Sequence, residues 1–186
     1  KLAIKEACFS LVPHRGTSIK PIRAIIIGIP NVGKSSLINL LTQRKIAKTG
    51  DVPAVTQMQQ RIIVDDDFVL TDTPGLMWHK IEDEMQGNYL AASNIIGINA
   101  YDETKAALYL LDCLKASYAT ELMTRYDLDP HEIAQPSEQI IDMIAEKKRM
   151  LLKGSQPDLK KAAMTILQDY RHQKIGMISL EKPNDQ

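Results

Sequence analysis

An α/β part followed by a smaller all-helical part is the architecture this 186-residue chain predicts, and three observations predict it. The β-branched run Arg23-Ala24-Ile25-Ile26-Ile27 enters a glycine turn, Gly28 to Gly33, and a helical period at Leu37, Ile38, Leu40 and Leu41 follows at once. Asp72-Thr73-Pro74-Gly75 closes a later apolar strand. Beyond residue 85 the pattern turns to helical stripes, which puts the seam near residues 95 to 103 and the expected domains at 1–98 and 99–186.

Taken in order, the first twenty residues read as a short mixed stretch ending in the loop Pro13-His14-Arg15-Gly16. The run from Arg23 to Ile27 shows no alternation and predicts a fully buried parallel strand. Two further strands, about Gln59 to Val64 and Phe68 to Thr71, flank Asp65-Asp66-Asp67, which suits a hairpin turn. In the helical part Asp102 is placed to cap a helix carrying Ala106, Ala107, Leu110, Leu111 and Leu114, and Ser137 to cap one carrying Ile140, Ile141 and Ile144. A last helix opens at Pro157-Asp158, shows one stripe at Leu159, Ala162, Ala163, Ile166, Leu167 and Tyr170, and closes at Gly176.

Composition excludes several classes. Hydrophobic residues make up 44% and charged ones 25%, the balance of a soluble globular protein, and no apolar run approaches the roughly 20 residues of a membrane helix. No cationic-then-apolar leader opens the sequence. Cys8 and Cys113 stand far apart without partner histidines, so neither a disulfide framework nor a zinc site is indicated, and a reducing cytoplasm is the expected location. His14, His131 and His172 show no ligand spacing. The zero net charge averages opposed blocks: +5 over residues 1–80, −10 over 81–146, +6 over 147–174 and −1 over the remainder.

Gly28-Ile29-Pro30-Asn31-Val32-Gly33-Lys34-Ser35 fits the pattern G-x-x-x-x-G-K-[ST], the P-loop. Its glycines let backbone N–H groups curl round a polyphosphate, the following helix adds positive potential, and a lysine supplies a point charge to the β and γ phosphates. Asn31, Val32, Gly33, Lys34, Ser35 and Ser36 are therefore the candidate phosphate-binding residues, with Ser35 a Mg²⁺ ligand. Asp72 is placed to hold Mg²⁺ through water, and the Gly75 N–H to sense a γ-phosphate. Between the two motifs, Thr56 at the end of Gly50-Asp51-Val52-Pro53-Ala54-Val55-Thr56 completes the order expected of a GTPase, as a third Mg²⁺ ligand. Lys34, Thr56, Asp72 and Gly75 are the candidate catalytic set.

From Ile25 to Lys80 the chain resembles the YlqF/RbgA family of ribosome-assembly GTPases, in Gly28-Ile-Pro-Asn-Val-Gly-Lys-Ser-Ser-Leu-Ile-Asn, Ile46-Ala-Lys-Thr-Gly-Asp and Asp72-Thr-Pro-Gly-Leu-Met-Trp. The likeness continues through Arg125-Tyr126-Asp127-Leu128-Asp129, Lys153-Gly154 and Ile178-Ser179-Leu180-Glu181. It implies a P-loop NTPase G domain that is circularly permuted, with its guanine-reading segments ahead of the P-loop. None of Asn88, Asn94, Asn99 or Asn184 begins N-K-x-D, and the chain opens at Lys1 without a methionine, so the expectation is a G domain lacking its N-terminal half. Ala54 departs from the family's usual Pro-Gly before the threonine, which disfavours a positive φ there.

The resemblance further implies GTP or GDP as ligand, and a large ribosomal subunit and its rRNA as partners of a monomeric cytoplasmic protein with no membrane association. Leu76 stands where Ras-like enzymes carry the glutamine that orients water, and Asn31 resembles the P-loop asparagine that holds K⁺ in enzymes with such a substitution. The basic block Lys147, Lys148, Arg149, Lys153, Lys160, Lys161, Arg171 and Lys174 is expected to bind RNA through phosphates; a solvated helix face is the plainer alternative. Trp78 is read as an anchor beneath the Gly75 segment, and His79 as a solvated surface residue. Three alternatives stay open: a GTPase of tRNA modification, an ATPase of another P-loop class, and an RNA-binding segment whose nucleotide site is incomplete or impaired.

Overall fold

The computed structural model describes residues 1–47, 58–77, 80–97 and 101–181, and its packing divides into two compact units, Lys1–His79 and Lys80–Gln186. In the first, β1 (Ile22–Ile26), β2 (Gln60–Asp65) and β3 (Phe68–Asp72) form a sheet in the order β1-β3-β2. The hairpin falls where the aspartates predict it, turning at Asp66-Asp67, with a one-residue irregularity that sets Asp65 opposite Phe68. On the other side β1 runs parallel to β3, Ile22 facing Phe68 and Ile26 facing Asp72. Parallel neighbours need a crossover, and α2 (Lys34–Thr42) lies within it.

One face of this sheet is covered. Ile22, Ile62, Phe68 and Leu70 bury against Ile38 and Leu41 of α2 and against Ala47. The opposite face carries Ile25, Ile27 and Ile63, which are 58%, 64% and 68% exposed. The expected full burial of Arg23 to Ile27 is thus corrected: β1 alternates buried and exposed positions because, among the described residues, a layer covers only one side of the sheet. The same geometry narrows the α2 stripe to Ile38 and Leu41 and leaves Leu37 and Leu40 exposed. The mixed N-terminal stretch is a helix, α1 (Leu2–Leu11), with no buried residue. Lys1 and Lys5 tether it to the β2–β3 turn through Asp65 at 2.7 and 3.6 Å, and Lys5 also reaches Asp67 at 2.6 Å.

The second unit consists of α3 (Glu84–Ala92), α4 (Glu103–Ser117), α5 (Ala119–Tyr126), α6 (Pro130–Ile133), α7 (Ser137–Lys147) and α8 (Leu159–Arg171). Its core joins Leu110, Leu111 and Leu114 of α4 to Leu122 and Tyr126 of α5, Ile140, Ile141 and Ile144 of α7, and Ile166 and Leu167 of α8. Each such aliphatic side chain, fully buried, contributes about 1.5–3 kcal/mol. Asp102 caps α4, its carboxylate accepting from the Thr104 and Lys105 N–H groups at 2.8 and 3.1 Å. Asp158 caps α8, accepting from Lys161 N–H at 3.0 Å.

Three expectations change here. The boundary drawn at 98/99 falls at 79/80 in the packing, because Ala91 and Ala92 of α3 are fully buried in the helical core. Ser137 is the first residue of α7 and not its cap; its hydroxyl donates to Asp112 at 2.5 Å, and Pro136 holds the cap position. α8 ends at Arg171, well before Gly176, with His172 as its cap; Gln173 then turns at φ 57° and Lys174 N–H bonds back to the Asp169 carbonyl at 2.8 Å.

Candidate phosphate-binding site

The register of β1 on β3 builds this site. Because Ile26 faces Asp72 on parallel strands, the segment leaving β1, Ile27 to Gly33, and the one leaving β3, Thr73 to Leu76, emerge side by side at the carboxyl end of the sheet. That end is where open α/β sheets bind ligands. Two hydrogen bonds fasten the segments: Thr73 Oγ1 donates to Ile26 carbonyl at 2.7 Å, and Leu76 N–H to Gly28 carbonyl at 3.0 Å. Gly75 closes the seam. A Cβ there would lie 2.7 Å from the N, Cα and Cγ of Pro30, a distance no side chain tolerates, so only glycine admits this approach.

Within the loop, Asn31 at φ 57° and Gly33 at φ 93° are left-handed. Such residues directly before a helix N-terminus make the backbone geometry of an anion nest. Asn31 is a residue type that accepts this conformation, so its presence is explained by the backbone before any ligand role is considered. Lys34 Nζ donates to the carbonyls of Gly28 and Ile29 at 3.0 and 2.7 Å. Two of the ammonium's three donors thus brace the loop, and one remains for a phosphate oxygen. Ser35 is half-buried beside Lys34 on the first turn of α2, whereas Val32 and Ser36 are exposed. Asp72 and Thr73 are 1% and 4% exposed at the end of β3.

The structure therefore brings together Asn31, Val32, Gly33, Lys34, Ser35 and Ser36 with Asp72 and Gly75. Thr56 lies outside the described residues, as do Lys48, Gly50-Asp51-Val52-Pro53-Ala54-Val55, Trp78 and His79. Leu76 is 61% exposed. Two positioning residues were missed in the sequence. Thr73 is one; the other is Asn39, whose Oδ1 accepts from Ile46 and Ala47 N–H at 2.9 Å each while its Nδ2 donates to Ala47 carbonyl at 2.9 Å. Asn39 thereby pins the chain just ahead of residue 48. Asn39 closes the run from Gly28 that carries the family resemblance, and that position was the available signal.

The eight cations of the basic block do not form one class. Arg171 donates to the carbonyls of Ala92 and Ala91 at 2.9 and 2.7 Å and to Tyr101 Oη at 3.0 Å, closing the C-terminal end of α3. Lys147 bonds Glu132 at 2.7 Å and the Asp127 carbonyl. Lys174 pairs with Asp169 at 3.3 Å and Lys160 with Glu103 at 3.7 Å. Lys148 lies 5.9 Å from the Tyr126 ring centroid. Arg149, Lys153 and Lys161 are exposed.

Asp169 is the buried hub of this unit. It is 1% exposed and accepts from Nε and Nη2 of Arg125 at 2.9 and 2.7 Å and from Tyr126 Oη at 3.1 Å. Burial, and then the neighbouring Asp169 charge, push the Tyr126 phenol well above its ordinary range. At α6, the Glu132 backbone N–H holds the Asp129 carboxyl below its usual value, and the bond from Lys147 does the same for Glu132.

A family model described as 50S ribosome-binding GTPase matches residues 23–153. Ribosome biogenesis GTPase A of Bacillus licheniformis is 42% identical over 187 residues, which cover 100% of this chain and 64% of that protein. Its counterpart in Priestia megaterium is 42% identical over 166 residues, 89% of this chain and 57% of that one. The chain thus spans 57–64% of the length of these curated relatives. Among solved structures, the GDP-bound structure of TM YlqF superposes with a TM-score of 0.65 at 20% identity, over 97% of this chain and 67% of that one. GNP-bound YlqF from T. maritima gives 0.57 at 22% identity, over 88% and 60%. These two likenesses show a shared fold.

Proposed function

The chain belongs to the family of 50S ribosome-binding GTPases, and from that premise we propose that the whole protein binds and hydrolyses GTP as an assembly factor for the large ribosomal subunit. The observation that carries this reading is the clamped seam between the loop after β1 and the segment after β3: Leu76 N–H on the Gly28 carbonyl, Gly75 against Pro30. A γ-phosphate lodged in the loop would touch both segments, so its presence or loss would be transmitted directly to the chain that follows Gly75.

In this proposal Lys34 neutralises the β and γ phosphates, the N–H groups from Asn31 to Ser36 line the polyphosphate, and Gly75 N–H meets the γ-phosphate. The donor set fits Mg²⁺: the Ser35 hydroxyl and the Asp72 carboxylate are hard oxygen ligands, with Thr56 the third in the reading from sequence. Bound there, the ion would neutralise charge on the β and γ oxygens. Leu76 has no group to orient water, and K⁺ held by Asn31 would supply the missing positive charge at the developing transition state. Subunit binding would accelerate hydrolysis by ordering the segments on either side of the loop.

The exposed sheet face at Ile25, Ile27 and Ile63 supports the reading of a permuted G domain whose base-reading part covers that face. It also supports a second reading for this segment taken by itself, an RNA-binding piece with weakened nucleotide affinity.

Measuring GTP hydrolysis by the full-length protein, with and without purified large subunits and in K⁺ against Na⁺, tests the proposal. Acceleration of about tenfold or more by subunits in K⁺, lost in Lys34→Ala, is the expected result. An unchanged rate with subunits, or equal turnover of ATP, would overturn it.

A further inference from the structure

The last turn of α2 holds an arrangement that the phosphate loop itself does not require. α2 ends at Thr42, Gln43 caps it at φ 55°, and the chain reverses, so that Arg44 N–H bonds the Asn39 carbonyl at 3.3 Å. Asn39 receives the returning chain with both polar atoms of its carboxamide. Its Oδ1 accepts from the Ile46 and Ala47 N–H groups and its Nδ2 donates to the Ala47 carbonyl, each at 2.9 Å. Ala47 is 6% exposed in the cluster that holds Ile38 and Leu41, so water has little access to replace these bonds.

The position of Asn39 on the helix gives these bonds their direction. Ser35 precedes it by four residues, which puts the two side chains on one side of α2, a turn apart. The returning chain is therefore docked on the side of α2 that carries a candidate Mg²⁺ ligand. Lys34 stands at the first position of the same helix. One rigid element thus sets both the end of the phosphate loop and the point from which the chain beyond Ala47 departs.

We infer that Asn39 is a positioning residue of the nucleotide site, which supports the bound triphosphate and not the bound diphosphate by fixing where the chain leaves Ala47. The inference rests on the proposed GTPase reading, in which Thr56, nine residues further along the sequence, is a Mg²⁺ ligand. In that reading the β-phosphate is held by Lys34 and by N–H groups of the loop, none of which Asn39 touches. What a triphosphate adds is contact with the chain that starts at Ala47. A segment whose starting point is already fixed loses less freedom on meeting a ligand than one whose start also moves. Asn39→Ala removes the anchor and leaves the helix, since alanine is the best helix former, so Lys34 and Ser35 keep their places. Two N–H groups and a carbonyl then lose their partner, and residues 46 and 47 shift to satisfy them.

The test uses full-length protein in Mg²⁺ and measures the affinities for GDP and for a non-hydrolysable GTP analogue, together with single-turnover hydrolysis of bound GTP; thermal melts check that each variant folds. Asn39→Ala is expected to weaken the analogue about tenfold and to slow hydrolysis by about as much, with GDP affinity within about twofold of wild type. Asn39→Asp keeps the acceptor for both N–H groups and loses the donor, and is expected to fall between. Thr42→Val is the structural control in the same turn. It removes a hydroxyl that lies 2.9, 3.3 and 3.2 Å from the Ile38, Asn39 and Arg44 carbonyls, and is expected to lower the thermal midpoint with the ratio of the two affinities unchanged. Equal loss of GDP and analogue binding in Asn39→Ala would overturn the inference. So would wild-type affinities and rate in that variant, or the same change of ratio in Thr42→Val. If large subunits leave the wild-type rate unchanged while Asn39→Ala loses the analogue selectively, the proposed function fails and this inference stands. Wild type that binds neither nucleotide removes both.

Discussion

Gly75 lies so close to Pro30 that a Cβ on it would meet the proline N, Cα and Cγ at 2.7 Å. This contact joins the segment after β3 to the loop after β1, and it makes the glycine a requirement of packing, apart from the γ-phosphate contact proposed for its N–H. Gly75→Ala is therefore expected to push the two segments apart and weaken GTP binding by at least about tenfold. Pro30→Ala should fail to rescue it, since the backbone atoms of residue 30 stand as close as the ring. A nucleotide titration of the single and double variants checks this, and full rescue would show that only the pyrrolidine ring matters.

Asn31 offers a way to separate backbone from ligand. Its φ of 57° suits glycine as well as asparagine, so Asn31→Gly keeps the loop shape and removes the side-chain carboxamide. Wild type is expected to hydrolyse GTP faster in K⁺ than in Na⁺, and Asn31→Gly to lose that difference while still binding nucleotide. A variant that keeps the K⁺ preference would reduce Asn31 to a turn residue.

Asp169 binds α5 to α8 from inside the helical core, and the loss of its charge strands Arg125. Asp169→Asn is expected to destabilise the helical unit by about 2–4 kcal/mol, because a buried pair is broken on one side only. Tyr126→Phe, which removes one bond to the same carboxylate, should cost about 1 kcal/mol. Urea unfolding followed by circular dichroism measures both, and an Asp169→Asn midpoint equal to wild type would contradict the hub.

The α6 cap predicts a pH dependence. The Asp129 and Glu132 carboxyls are depressed from reference values of 3.8 and 4.5, Asp129 first by the Glu132 N–H and Glu132 first by Lys147. A depressed acid contributes stability that is complete above its unfolded value and is lost as pH falls through its folded value. The wild-type advantage over Glu132→Gln in thermal midpoint should therefore be constant from neutrality to about pH 5 and vanish by about pH 2. A gap that persists at the acid end would assign the effect to packing.

Much of this was legible in the chain. Asp102 caps the helix it was expected to cap, the last helix begins at Asp158 as expected, and Ala106, Ala107, Leu110, Leu111 and Leu114 are all buried, because helix starts and helical period are local properties. The hairpin about Asp66-Asp67 is local too. α1, α3, α5 and α6 were not foreseen. α3 buries only Ala91 and Ala92, too little apolar surface to stand out. α6 is four residues long, although Asp129-Pro130-His131-Glu132 holds a capping box that a search for that pattern would find.

By itself the sequence determined the order of the motifs, the residue types that can hold a polyphosphate and Mg²⁺, and the family to which they point, since these follow from spacing along one chain. Only the tertiary structure decided which neighbours each residue has. The parallel register of Ile26 with Asp72 carries two motifs some forty residues apart to one end of the sheet, and Thr73, given no role in the sequence reading, ties them there. The fold likewise split a uniform run of cations into those with a partner in the helical unit, such as Arg171 and Lys174, and those left exposed, such as Arg149 and Lys153. A charge is the same in any sequence; whether it is spent inside the molecule or kept for a partner depends on what lies within hydrogen-bonding distance.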